Sequence, residues 1–122
     1  MKQNCIYLED ESVELLGYTI YGAPWAAKDP AISAWAFLIN RGSPELKEKW
    51  AAIPDKVDIL LTHGPPLGHG DLSRLPGWAV PGDPELSEDG YAEIRTGCYD
   101  LLKRVEDVKP LYHIFGHIHE GI

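Results

Sequence analysis

The sequence predicts an α/β fold. Two short apolar runs, residues 57–61 and 111–115, have the length and continuity of strands buried in a helix-covered sheet. Between them Cys98, Leu101, Leu102, Val105 and Val108 recur at helical spacing. A strand, a helix and a second buried strand in that order fit a right-handed parallel βαβ unit.

The chain opens as a β-hairpin. Ile6 and Leu8 alternate with Tyr7 and Glu9, residues 10–12 make a polar turn, and Val13 and Leu15 resume the period of two. Tyr18, Thr19, Ile20 and Tyr21 carry it past Gly17, and Pro24, which has no N–H for a ladder, ends it. Residues 26–42 read as a loop anchored by Trp35 and Phe37, with a short helix over residues 31–39 as the alternative. Ser43-Pro44 opens a clearer helix, because serine caps and proline suits the first helical position. Leu46, Trp50 and Ile53 form its apolar face. Residues 64–90, rich in Gly and Pro, read as one long irregular connection. A second helix over residues 96–107 stops before Pro110.

A length of 122 residues bounds one domain or part of one. The composition, 44% hydrophobic and 25% charged, argues against disorder and fibrous folds. A net charge of -8 argues against a nucleic-acid polymer or an anionic membrane as partner, since both need clustered Lys and Arg. A small phosphorylated substrate remains compatible, because a bound metal supplies positive charge locally. No apolar run has the length of a signal-peptide core or a membrane span. Cys5 and Cys98 form no CxxC pair, read as small buried hydrophobes and suit a reducing, cytoplasmic setting.

The chemistry concentrates at the carboxyl ends of the two buried strands, where ligands gather in open α/β sheets. His63 follows the first, and His117 and His119 follow the second. Gly64 and Gly116 beside them let the backbone turn and approach a ligand. A spacing of two places His117 and His119 on one side of extended backbone, and imidazole suits Zn, Fe, Cu or Ni. The three histidines are therefore expected to converge as a metal site. His113, inside the strand, reads as a packed core histidine, and His69 as a loop residue outside the metal set. Asp71 and Glu120 read equally well as carboxylates orienting a ligand histidine or as solvated charge. Trp25, Trp35, Trp50 and Trp78 read as anchors in core or loop rather than as stacking platforms.

Thr62-His63-Gly64-Pro65-Pro66 and Gly116-His117-Ile118-His119-Glu120-Gly121 resemble the last two metal-binding motifs of the calcineurin-like metallophosphoesterases. Residues 20–25, 59–66 and 113–121 are similar to one subgroup, the small metallophosphoesterase-domain-containing phosphodiesterases. The resemblance implies a partial metallophosphoesterase-type α-β-β-α sandwich. It implies two divalent metal ions in the complete domain, drawn from Mn, Fe, Zn or Mg, with His63 and His117 on one and His119 on the other. It implies hydrolysis of phosphodiesters, cyclic nucleotides included.

The family's Asp-x-His, Gly-Asp-x-x-Asp and Gly-Asn-His motifs are absent from the chain. With them go the bridging carboxylate, the remaining ligands and the histidine expected to assist catalysis, so no catalytic residue is assigned. Residues 1–122 are accordingly expected to be the C-terminal part of a single metallophosphoesterase domain, truncated at both ends. Such a piece would self-associate or require a complementing N-terminal segment. The competing functional reading is a non-catalytic remnant or interaction module retaining half of the fold. A third, a hydrolase with one metal held by three histidines, ranks last.

Overall fold

Leu16 and Gly17 both take positive φ, 52° and 83°, the mark of a two-residue type I′ turn whose twist matches that of paired strands. The turn joins β1 (Glu11–Leu15) to β2 (Tyr18–Ala23) in antiparallel register, Leu15 opposite Tyr18. The expected hairpin therefore exists, but one segment later in the chain than its alternation suggested. Residues 6–9 are not a strand, and of the expected turn only Asp10 is a bend, while Glu11 and Ser12 begin β1. The earlier segment folds back onto the hairpin: the Asp10 N–H donates to the Gly22 carbonyl at 2.8 Å. Leu8 fills the space where a β-carbon on Gly22 would lie, 2.5 Å from its own.

The computed structural model of the chain describes residues 4–28 and 35–121. After β2, β3 (Ala26–Lys28) pairs in parallel with β4 (Leu38–Asn40). The alternative helix over residues 31–39 fails where β4 forms, and its residues 31–34 lie outside the described residues. Phe37 is the anchor expected there, edge-on to Trp25 at 5.6 Å, whereas Trp35 is 76% exposed. Trp25 is fixed from two further sides. Its Nε1–H donates to Asp10 at 2.8 Å, and Lys49, ion-paired to the same carboxylate, lies over its ring.

Helix α1 (Pro44–Ala51) starts as its sequence dictates: the Ser43 hydroxyl accepts from the Leu46 N–H and Pro44 occupies the first turn. Leu46, Trp50 and Ile53 are buried. Helix α2 (Tyr99–Val108) starts three residues later than expected, behind Cys98, and ends at Lys109, whose φ of 50° stops the helix just before Pro110. The two helices pack against each other and against one face of the main sheet.

That sheet has the order β1-β2-β5-β8, with β5 (Ile59–Thr62) and β8 (Tyr112–Ile114) parallel to β2. Tyr21 and Leu60 are opposite one another in this register and face the helices, where both are buried. The other face carries Ile59 beside Tyr112 and Leu61 beside Ile114. It is only partly covered: Ile59 and Leu61 are half-buried, while Tyr112 and Ile114 are 66% and 57% exposed. The expectation that both strands are buried on both faces is corrected here. β8 is an edge strand, and among the described residues the helices cover a single face. Both strands are also shorter than the apolar runs that announced them.

The stretch expected to be irregular holds a second correction. β6 (Leu72–Pro76), a 3-10 turn (Gly77–Ala79) and β7 (Tyr91–Arg95) form an antiparallel hairpin, Leu72 opposite Arg95. Pro76 closes β6 opposite Tyr91, at the strand end where a missing N–H costs least. The fold is thus mixed α/β, consistent with part of a metallophosphoesterase-type sandwich. No helix of the described residues is long and apolar enough to cross a membrane.

Two substitutions separate core from turn. Leu46→Ala, at a fully buried position, is expected to cost about 2–5 kcal/mol in urea unfolding. Leu16→Asn places the preferred Asn-Gly pair in the type I′ turn at a side chain that is 98% exposed. It is expected to raise stability by about 1 kcal/mol, because L-residues without a short polar side chain are strained at positive φ.

Candidate metal centre

Parallel pairing of β5 and β8 sends the chain out of both strands at the same rim of the sheet. The two exits are tied together, since the Gly116 N–H donates to the His63 carbonyl at 3.0 Å. The rings of His63 and His117 consequently lie 4.6 Å apart between centroids, tilted by 56°. His119 lines one cleft together with His117. All three histidines are exposed. The structure thus brings His63 and His117 into direct contact and leaves His119 beside His117 along the cleft, which His63 does not line. Among the described residues no group of three or more His, Cys, Asp or Glu side chains is arranged to hold a metal ion.

His117 carries two marks of a functional position. Its φ is 75°, a left-handed conformation uncommon for a residue with a side chain. Its pKa is lowered, first by desolvation and then by the charges of His63 and His119. The ring is therefore neutral at neutral pH and keeps a lone pair for a Lewis acid. That donor chemistry fits part of a metal centre: two adjacent imidazoles, without a carboxylate.

Behind the histidines the rim is held by a short relay. The Thr62 hydroxyl donates its one proton to the Gly64 carbonyl at 2.8 Å, and His113 Nε2 lies 2.8 Å from the Thr62 hydroxyl oxygen. With that proton committed, His113 must donate, which fixes its Nε2–H tautomer. Burial, followed by the charge of His69, pushes the His113 pKa down to about 4, so the ring stays neutral. His113 is half-buried, with its ring edge-on to Phe115 at 4.9 Å. His69 is an exposed loop residue.

Sequence reasoning undervalued Asp71. Its side chain is fully buried. One oxygen accepts from Arg95 at 2.7 Å; the other accepts from the backbone N–H groups of Gly68 at 2.8 Å and Gly97 at 3.1 Å. Desolvation raises its pKa, but these hydrogen bonds and the Arg95 charge outweigh that and leave it below the usual carboxylate range. Asp71 thereby clamps the loop after His63 to the segment entering α2. The clamp demands glycine at position 97, where a β-carbon would meet the Pro66 carbonyl oxygen at 2.5 Å. From the other side Arg41 donates to the carbonyls of Gly97 and Thr96, both at 2.6 Å. The available signal was Gly68-His69-Gly70-Asp71, a polar residue in a glycine-rich turn, and it cannot show burial. Glu120, by contrast, is exposed and lines the cleft with His119.

Of the tryptophans, Trp50 is a core residue and Trp25 a half-buried anchor, as expected, whereas Trp35 and Trp78 are exposed. Cys98 is buried as expected, but Cys5 is exposed.

No family model matches the chain. Its sequence is 48% identical over 119 residues, 97% of its length, to a UPF0046 protein of Caenorhabditis elegans. It is 46% identical over 119 residues to metallophosphoesterase domain-containing protein 1 of Homo sapiens. The chain is similar, along nearly all of its length, to metallophosphoesterase domain-containing proteins. A second UPF0046 protein of Caenorhabditis elegans is 43% identical over 118 residues. The chain spans 25%, 30% and 36% of the length of these three relatives.

Two pH-dependent effects follow from the clamp and the relay. The depressed His113 pKa means that the unfolded chain binds a proton that the folded chain refuses. Stability is therefore expected to be full above pH 6.5 and to fall as pH drops toward about 4. In chemical unfolding followed by pH, His113→Gln should flatten that window. The depressed Asp71 pKa contributes stability above its unfolded value of 3.8, lost as pH falls through the lower folded value. Asp71→Asn is expected to cost about 1.5–3 kcal/mol at neutral pH, the range for hydrogen bonds to a charged group.

Proposed function

We propose that the chain supplies the histidine-bearing part of a metallophosphoesterase site that hydrolyses phosphodiesters, cyclic nucleotides included, with two divalent metal ions. The observation that carries this reading is the contact of His63 and His117, 4.6 Å apart at the ends of neighbouring parallel strands. The names of the metallophosphoesterase relatives support it independently. In this reading His63 and His117 share one ion and His119 contributes to the other. Bound metal would polarise the phosphoryl oxygens and lower the pKa of a water. The chain's own part is to present imidazoles from a rim stiffened by the Thr62–His113 relay and the Asp71 clamp. The substrate is a small phosphorylated molecule rather than a nucleic-acid polymer or a membrane surface, in keeping with the charge of -8. A reducing, cytoplasmic setting suits the two free cysteines.

The second reading, a non-catalytic remnant or interaction module, is favoured by one specific observation. Among the described residues no third side chain closes on the histidine pair. The open sheet face bearing Tyr112 and Ile114 also favours self-association, or docking of a complementing segment, because exposed apolar sheet edges pair with other chains.

The two readings are separated by metal titration and turnover of the purified chain. Two imidazoles without a carboxylate hold an ion weakly. The chain is expected to bind Mn weakly in calorimetry, to lose that binding in His117→Ala and to hydrolyse bis(p-nitrophenyl) phosphate negligibly. Mn binding that survives His117→Ala would remove the metal reading. Robust Mn-dependent turnover lost in the same variant would instead mean that the chain carries a complete site.

A further inference from the structure

Trp50 of α1 is 2% exposed and packs in the apolar cluster between the helices and the sheet. Its Nε1–H is a donor only, and it meets no acceptor among the described residues. Leaving a buried donor unpaired is costly, so such a group calls for a partner. Trp50 borders a recess of about 10 Å³, close to the room that one water molecule needs. Gly64, Thr96 and His117 border the same recess. Their polar groups are unequally engaged. The Thr96 hydroxyl already meets Ser73 at 2.6 Å and the Asp71 carbonyl at 3.3 Å. The Gly64 carbonyl accepts from the Thr62 hydroxyl and offers a second lone pair. His117 borders both this recess and the cleft that it shares with His119.

We propose that one water molecule occupies this recess, accepting from the Trp50 Nε1–H and from a ring N–H of His117, and that Trp50 is thereby a positioning residue for His117. The inference rests on the reading of His117 as a metal ligand, and it adds what orients that ligand. The water's two lone pairs take the two N–H groups, and one of its protons goes to the Gly64 carbonyl. A neutral imidazole carries a single N–H. Once that N–H is given to the water, the other nitrogen must hold the lone pair, which is the form that binds a metal ion. Imidazole ligands characteristically give their second N–H to a water, a carbonyl or a carboxylate, which fixes both tautomer and ring orientation. The same water ties the Gly64 end of β5 to the His117 end of β8 from beneath, through the helix that Trp50 belongs to.

The test is NMR of the nitrogen-15-labelled, metal-free chain at neutral pH, followed by Mn calorimetry. The Trp50 Nε1–H is expected to show cross-relaxation with a long-lived water, and the ring nitrogen shifts of His117 should report one dominant tautomer. Trp50→Phe removes the donor. It is expected to mix the His117 tautomers and to weaken Mn binding about tenfold, the lower end of the range for groups that orient a metal ligand. Trp78→Phe, at a side chain that is 84% exposed, should change neither. Thermal unfolding shows whether the Trp50→Phe chain is folded; if it is not, the water and tautomer signals of the unsubstituted chain decide alone. Absence of the water signal at Trp50 overturns the inference, as does a His117 tautomer unaltered by Trp50→Phe in a folded chain. A bound water and a single tautomer without Mn binding would leave the water site standing and remove the metal reading. Mn binding beside a dry recess would keep the metal reading and remove the water site.

Discussion

The parallel pairing of β5 with β8 is the constraint on which the rest of the molecule depends. Its register, Leu60 opposite His113 and Leu61 opposite Ile114, decides which side chains meet the helices and which meet solvent. A slip of one residue would invert every side chain of β8, because side chains alternate across a strand. It would turn His113 away from the Thr62 hydroxyl and displace the Gly116 N–H from the His63 carbonyl. The contact between His63 and His117 exists because two strand exits, at Thr62 and Ile114, are held side by side by this ladder.

Around that rim the backbone is tied more tightly than its loop composition suggests. Asp71, Gly97 and Arg41 form one clamp in which a buried carboxylate and an arginine together satisfy two backbone N–H groups and two carbonyls. Buried backbone polar groups without partners are costly, so each of these contacts permits the loop after His63 to lie against the start of α2. Cys98 completes the docking, its N–H donating to the Pro65 carbonyl and its carbonyl accepting from Leu67. The positive φ of His117 sits between two backbone hydrogen bonds, from Gly116 to the His63 carbonyl and from Ile118 to the Gly116 carbonyl.

The sheet itself is asymmetric. Its helix side holds a continuous core from Tyr21 and Leu60 through Leu46, Trp50 and Leu101. Its other side carries half-buried Ile59 and Leu61 next to exposed Tyr112 and Ile114. The apolar runs seen in the sequence are real, yet the cover they imply is complete on one face only. Such a sheet has good reason to find further protein surface, and the same asymmetry leaves the histidine rim open to solvent.

The sequence by itself determined what depends on neighbours a turn or two away. The Ser43 cap, the apolar stripes of both helices, the strand identities of β5 and β8 and the placement of His63 and His117 just beyond them all follow from local spacing and capping. Tertiary structure decided what depends on distant partners. Burial of Asp71 requires Gly68, Arg95 and Gly97 to close on it; formation of β6 requires β7 across a long loop; exposure of β8 depends on what packs beyond it. The hairpin at the start slipped by one segment for the same reason. Residues 6–9 and 11–15 alternate equally well, and only the positive φ at Leu16 and Gly17, stabilised by pairing of the strands they join, selects between them. Local periodicity fixes which residues want an apolar side, but the number of covered sides is set by packing that no short stretch of sequence contains.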